Sequence, residues 1–233
     1  MYNKITSSKK RIFMDGLARW ELMRLEMAFL GRGIAAGVAP EERDAALGLL
    51  SSLKERDDVA RFHYTHCLRV GLLAADIARF VHMPEKPALL SGALHDIGKC
   101  EISSGTLGKT DGWTSVDACT VRRHARNGWR ILRGRFDFVA DVIVRHHSFQ
   151  QDSYPKRMPR WCHGYSETTK VLILEYARIV ALADVYDALH RVNGKFGVPR
   201  ALTSAEIRSK MLELNSDREL LITHLYWAGV LGS

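Results

Sequence analysis

The sequence predicts an all-α fold, and three observations carry that expectation. Apolar residues recur at steps of three and four, with Val59, Phe62, Val70, Leu73, Ile77 and Val81 forming one stripe, as an amphipathic helix requires. The segment "VLILEYARIVALADVYDALH" sets Ile173, Ala177, Val180 and Ala188 on one face of another helix. No run alternates with period two between turn signals, so strands are not expected.

Taken in order, Arg11 to Ser52 is rich in Ala, Leu, Met, Glu and Arg and breaks near Gly31 to Pro40, which predicts two helices. They form an N-terminal helical extension, residues 1–52, ahead of a second unit, residues 53–233. The extension carries no motif, and either lengthens the bundle or makes a homodimer contact. Phe138 to His147 repeats the helical pattern, with Val139, Val142 and Ile143 leading to His146. Loops are expected at Ser103 to Asp117, Ser148 to Glu167 and Asn193 to Pro199.

A chain of 233 residues can bury a substantial core as one domain, or one domain with an appendage. Its formal charge of +8 attracts anionic partners. Zinc-finger spacing, an aromatic RNA-binding strand and a recognition helix are all missing, which argues against nucleic acid and for a phosphorylated small molecule. Four cysteines without a C-x-x-C pair predict reduced thiols. The start "MYNKITSSKKRIFMDG" lacks a signal-peptide pattern, and no run of about 18 apolar residues occurs, so a cytoplasmic location without membrane insertion is expected.

The chemistry is carried by ionisable residues on apolar faces. His66 interrupts the first stripe, His95 and Asp96 end the apolar "ALLSGALHDIGKC", and Asp184 shares the face of Ile173 and Ala177. Such groups are costly to bury unless something pairs them, and a polyvalent cation would do so. With His124, His146 and His147 they make a set of imidazoles and carboxylates without thiolate, which suits a first-row transition metal. The set exceeds the needs of one four-coordinate zinc. Two metals sharing a carboxylate would use it all, with Asp96 as the natural bridge.

The order H, HD, H, HH, D resembles the HD superfamily of metal-dependent phosphohydrolases, and in detail its HD-GYP branch. The features are "HCLRV" at His66, "HDIGK" from His95, "RRHARNGWRIL" around His124, "HHSFQQDSYP" from His146 and "ALADVYDAL" around Asp184, within Leu50 to Leu202. The resemblance implies an HD-domain helical bundle and two divalent transition-metal ions, iron or manganese. It implies one metal on His66, His95, Asp96 and Asp184, and a second on Asp96, His124, His146 and His147. HD-fold oxygenases generally show a single histidine where the doublet stands here, so the doublet favours hydrolysis. Paired metals about 3.5–4 Å apart acidify a water for in-line attack on phosphorus. In that scheme Asp96 and Lys99 are the catalytic residues, with the Lys99 ammonium beside the phosphate.

Asp187 either orients a ligand histidine or makes an ordinary ion pair. His63 matches no ligand position and is expected at the surface, while His163 lies in a loop long enough to cover the site. The pattern also departs from the family. Ser148 replaces the glutamate of HHExxxGYP, and Ser153-Tyr154-Pro155 lacks its glycine. Phe62 stands where some members place a third-metal glutamate, so two metals are expected.

Arg191, Lys195 and Arg200 are the cations available for a substrate phosphate after Asp184. A second basic run, from Arg122 to Arg135, adjoins the site in sequence and would steer a polyanion. The leading expectation is hydrolysis of a cyclic dinucleotide, cyclic di-GMP before others. The alternatives are an HD hydrolase of another nucleotide or phosphate ester, and a nucleotide-binding module without turnover.

Overall fold

The computed structural model describes residues 2–109, 111–191 and 200–232. Its helices are α1 (Tyr2–Ala35), α2 (Pro40–Lys54), α3 (Asp58–Phe80), α4 (Glu85–Leu94), α5 (Ser104–Leu107), α6 (Ser115–Arg122), α7 (His124–Leu132), α8 (Asp137–Ile143), α9 (Glu167–Leu189), α10 (Ser204–Leu214) and α11 (Glu219–Trp227). A 3-10 turn, Ile97–Glu101, follows α4, and a second, Ser216–Arg218, links α10 to α11. Among the described residues there is no strand, as the missing period-two alternation predicts.

Helix starts follow from side chains that accept the first unpaired backbone N–H groups. The Asp57 carboxylate accepts from Ala60 at 2.8 Å to open α3, and Ser166 caps α9 through Thr169. The break expected between Gly31 and Pro40 is narrower, since α1 runs to Ala35 and Gly37 turns the chain at φ 71°. The loop expected from Ser103 to Asp117 contains α5 and the start of α6. Ser103 caps the former, and Thr114 makes a reciprocal capping box with Asp117 for the latter. The long loop before α9 is present, whereas Asn193 to Pro199 falls outside the described residues.

Helix α3 is the central element, packed on α4 and α9. Its one side, with Tyr64, Cys67 and Leu68, joins Leu25 and Phe29 of α1 and Leu50 and Leu53 of α2 in one buried cluster. Its other side, with Val70, Ala74 and Ile77, joins Ile173, Ala177 and Val180 of α9. The crossing of α3 on α4 is close because both contribute glycine. A Cβ on Gly92 would lie 2.8 Å from the Val70 carbonyl oxygen, and one on Gly71 would lie 2.9 Å from that of Leu89. That contact fixes His66 of α3 against His95 at the end of α4. No helix among the described residues is long and apolar enough to cross a membrane.

Candidate metal centre

Three of the histidines share one local device. Each follows the end of a short helix and donates its Nδ1–H to the carbonyl three residues back: His95 to Gly92 at 2.7 Å, His124 to Val121 at 2.7 Å, and His146 to Ile143. Those carbonyls lie in last turns, where intrahelical partners run out, so the ring satisfies a group the helix leaves open. A carbonyl only accepts, so the proton must be on Nδ1, and in the neutral ring the Nε2 lone pair faces the interior. His66 reaches the same tautomer differently, donating Nδ1–H to Asp187 at 2.8 Å.

The four rings converge with His147, Asp96 and Asp184. His66, His95, His124 and His146 are at most 1 % exposed, and Asp96 is 2 % exposed. Asp96 stands between two subsets. Its Oδ2 faces His95 Nε2 at 3.4 Å and His66 Nε2 at 3.5 Å, while Oδ1 faces His124 Nε2 at 3.3 Å. Asp184 Oδ1 lies 3.1 Å from His66 Nε2 and 3.7 Å from His95 Nε2. His147 Nε2 lies 3.2 Å from His124 Nε2.

Three compact groupings of donor atoms result: His66, His95 and Asp96; His95, His146 and Asp184; and His124, His146 and His147. The donors fit cations, because His95 Nε2, His146 Nε2 and His147 Nδ1 are buried without any hydrogen-bond partner among the described residues. Orphaned buried nitrogens are rare in folded proteins and call for an ion or a proton. The seven expected ligand residues are therefore brought together from five segments, able to bind metal.

The electrostatics follow the same division. Burial keeps His124 and His146 neutral, pushing them down to about 4 and about 3, and neighbouring imidazoles add to the effect at His146. Burial and the adjacent rings likewise hold His147 well below the usual imidazole range. At His95 burial opposes protonation, but Asp96 and Asp184 outweigh it and raise the ring to about 10. His66 is also raised, by Asp184, Asp187 and Asp96 against burial. Both carboxylates are held far below their ordinary range, since the surrounding cations and rings overcome desolvation. A proton on Nε2 of His66 or His95 thus stands where a metal ion would otherwise screen the carboxylates.

Of the expected cations, Lys99 lies at the centre. The 3-10 turn places it three residues from Asp96, and its Nζ donates to Asp96 Oδ2 at 2.5 Å. Arg191 reaches Asp187 at 3.2 Å and sits 5.0 Å over the Phe62 ring. Lys195 lies outside the described residues. Arg200 is turned elsewhere: both its terminal nitrogens bind Glu206, the capping-box partner of the Thr203 cap of α10, at 2.9 and 2.6 Å. A carboxylate already fixed by the Thr203 cap is the nearer and pre-ordered partner.

Other expectations are corrected. His63 is buried rather than at the surface, with Nδ1 3.4 Å from Lys99 Nζ, and burial with the Lys99 charge lowers it to about 2. It lies one helical turn before His66, so the same apolar face covers both. His163 does not cover the site and pairs with Asp137 at 2.7 Å. Asp187 orients His66 and also makes an ion pair with Arg69 at 2.6 Å, so both readings hold together. Tyr154, quoted in the sequence only as motif, stacks on His147 at 4.2 Å and edges His124 at 5.9 Å. The Tyr-Pro pair, which starts seven residues past the doublet, was the available signal, but the intervening loop has no period from which to place it.

The fold and site define a helical-bundle protein with a buried histidine and aspartate metal centre. The chain belongs to the HD domain family, which it matches over residues 63–189. It is 34 % identical over 151 residues to the cyclic di-GMP phosphodiesterase PA4108 of Pseudomonas aeruginosa, a match covering 62 % of this chain and 33 % of that protein. It is 29 % identical over 157 residues to the cyclic di-GMP phosphodiesterase response regulator RpfG of Xanthomonas campestris pv. campestris, covering 65 % of this chain and 39 % of that one. The match thus spans well under half the length of either relative. Among solved structures, the HD domain of L. monocytogenes phosphodiesterase PgpH in complex with cyclic-di-AMP is similar in fold. Its TM-score is 0.52 at 16 % identity, with 80 % of this chain and 98 % of that one covered.

Proposed function

We propose that the chain is a metal-dependent phosphodiesterase that hydrolyses a cyclic dinucleotide, with cyclic di-GMP as substrate. The observation that carries this reading is Asp96, whose two oxygens divide between two sets of buried imidazoles. The names of the two curated relatives support the substrate class.

The proposed centre takes two divalent transition-metal ions, iron or manganese. His66, His95, Asp96 and Asp184 hold one, and Asp96, His124, His146 and His147 hold the other. When bound, such ions acidify water and neutralise phosphoryl oxygens. The chain's own residues do the rest. Asp187 holds the His66 tautomer, and the carbonyls of Gly92, Val121 and Ile143 hold those of three other rings. Lys99 has three donors, so it can keep Asp96 and still donate to a phosphate oxygen. Arg191 supplies a second cation at the rim, and Lys195, four positions on, remains in the proposed set. Tyr154 walls the His124 and His147 side. The reaction is placed in the cytoplasm, where Cys67, Cys100, Cys119 and Cys162, all free, stay reduced.

The same proposal extends to a homodimer through α1. Trp20, Met23, Met27 and Ile34 are 60, 51, 65 and 64 % exposed on one helical face. Beside them lies a groove of about 490 Å³ between α1 and α3, lined by Ala28, Gly31, Ala35 and Leu72 together with the ion-paired Arg32 and Asp76. Two copies packed through this face near Met27 would bury the large residues of each against α1 of the other. Sedimentation should give a dimer that Met27→Glu with Ile34→Glu converts to monomer; a wild-type monomer would remove this part of the reading.

The deciding experiment measures metal content of freshly purified protein, then turnover of cyclic di-GMP with manganese or ferrous iron. Two equivalents of metal and turnover lost in both His95→Ala and Asp96→Ala are expected. Two metals without turnover would discard the substrate in favour of another phosphate ester. Failure to bind metal would overturn the catalytic reading.

A further inference from the structure

We propose that the outer face of α7 is a second ligand site, separate from the metal centre, which binds a compact polyanion carrying several adjacent phosphate groups. Arg123, Arg126, Arg130 and Arg133 follow one another at steps of three, four and three, so they share one helical face. All four are exposed. They line a groove of about 450 Å³ together with Asn127, Trp129 and Pro159 of the loop before α9.

No carboxylate lines that groove. Arg130 reaches Glu101 at 2.6 Å, and Arg133 lies 4.8 Å over the Trp129 ring. Arg123 and Arg126 have no carboxylate partner among the described residues. Like charges three and four residues apart on a helix repel, and in this row of four no acid is interleaved, with Glu101 meeting Arg130 alone. A solvated basic face ordinarily mixes signs or spreads its charges. Here they are held at the edge of a concavity, which focuses the field on whatever enters it.

The ligand class follows from shape and donor chemistry. Guanidinium groups present paired N–H donors that match phosphate oxygens. The groove volume falls in the range that small molecules fill. The nine residues of α7 span only about 14 Å, the reach of a nucleotide polyphosphate rather than of a long polymer. The face is also distinct from the one turned to the metal centre, because the buried residues His124, Ala125, Gly128 and Leu132 lie on the opposite side of the same helix.

The test titrates inorganic tripolyphosphate and GTP calorimetrically into metal-loaded wild type, into Arg126→Gln with Arg130→Gln, and into His95→Ala. One saturable equivalent is expected for wild type and for His95→Ala, weakened at least tenfold in the double arginine variant while its metal content and circular dichroism stay unchanged. Arg126→Lys with Arg130→Lys should restore part of the affinity. Equal binding of the two probes would support recognition of the phosphates alone, and tighter GTP binding would support a nucleotide. Binding that survives the arginine changes, or that disappears in His95→Ala, would overturn the proposal. So would binding that never saturates, or that appears only with a single-stranded oligonucleotide or an acidic polypeptide of equal charge. The readout is phosphate binding, compared between wild type and His95→Ala, and not turnover of cyclic di-GMP, so its failure is distinguishable from failure of the catalytic reading.

Discussion

Single residues in this protein are tuned by what their second nitrogen or oxygen touches. Asp187 shows this most directly, since one carboxylate serves both His66 Nδ1 and Arg69. Asp187→Asn keeps the volume but presents an amide in place of the anion, so metal affinity is expected to fall about 10–100-fold with little change in fold. Competition with a fluorescent chelator measures it, and unchanged affinity would reduce Asp187 to an ion-pair partner. Tyr154 offers a second test at this scale. Its ring, not its hydroxyl, meets His147, so Tyr154→Phe should retain metal content while Tyr154→Ala loosens the His147 side and lowers it. The sequence made Asp187 and Tyr154 visible as motif members. It could not assign them, because each acts on a residue more than five positions away.

At the scale of elements, the α3–α4 crossing governs the site. Gly92→Ala would set a methyl group against the α3 backbone at Gly71 and Val70. The helices must separate, and His66 would shift from His95. A loss of at least about 2 kcal/mol of stability is expected, together with reduced metal binding, read by denaturant titration and metal analysis. Helix α10 gives a pH test away from the metal centre. Arg200 and the Thr203 cap hold the Glu206 carboxyl down at about 2 against an ordinary 4.5. Between those values the unfolded chain binds the proton and the folded chain does not, so this contribution is present above pH 4.5 and lost as pH falls toward 2. The thermal midpoint of Glu206→Gln should therefore fall less steeply over that window than that of wild type. Equal slopes would show that the cap is not coupled to folding.

For the whole molecule, the metal centre ties five segments together, so loading should stabilise the fold. At a metal concentration about 100 times the dissociation constant the gain is about 2.7 kcal/mol, or roughly 5–10 °C for a chain of this size. Chelation should reverse it in wild type and have a smaller effect in His95→Ala, which keeps the His124, His146 and His147 donors but lacks one ligand of the other set. The net charge of +8 adds a kinetic expectation. Raising ionic strength should lower kcat/KM for an anionic substrate and leave kcat nearly unchanged, because screening weakens encounter and not the buried chemistry.

The sequence by itself determined the helical class, the apolar stripes that interrupt at His66 and Asp184, and the dense set of imidazoles and carboxylates. Those features are local: periodicity reports which face is buried, and residue type reports which ligands are available. Only the tertiary structure decided that His63 is covered, that Arg200 closes on Glu206, and that Asp96 splits its oxygens between two sets of rings. His63 and Asp96 depend on which distant segment packs opposite, and the Gly71–Gly92 contact brings α3 and α4 together in a way that neither helix encodes alone. Arg200 and Glu206 are only six residues apart, but their pairing needs the α10 cap to form first.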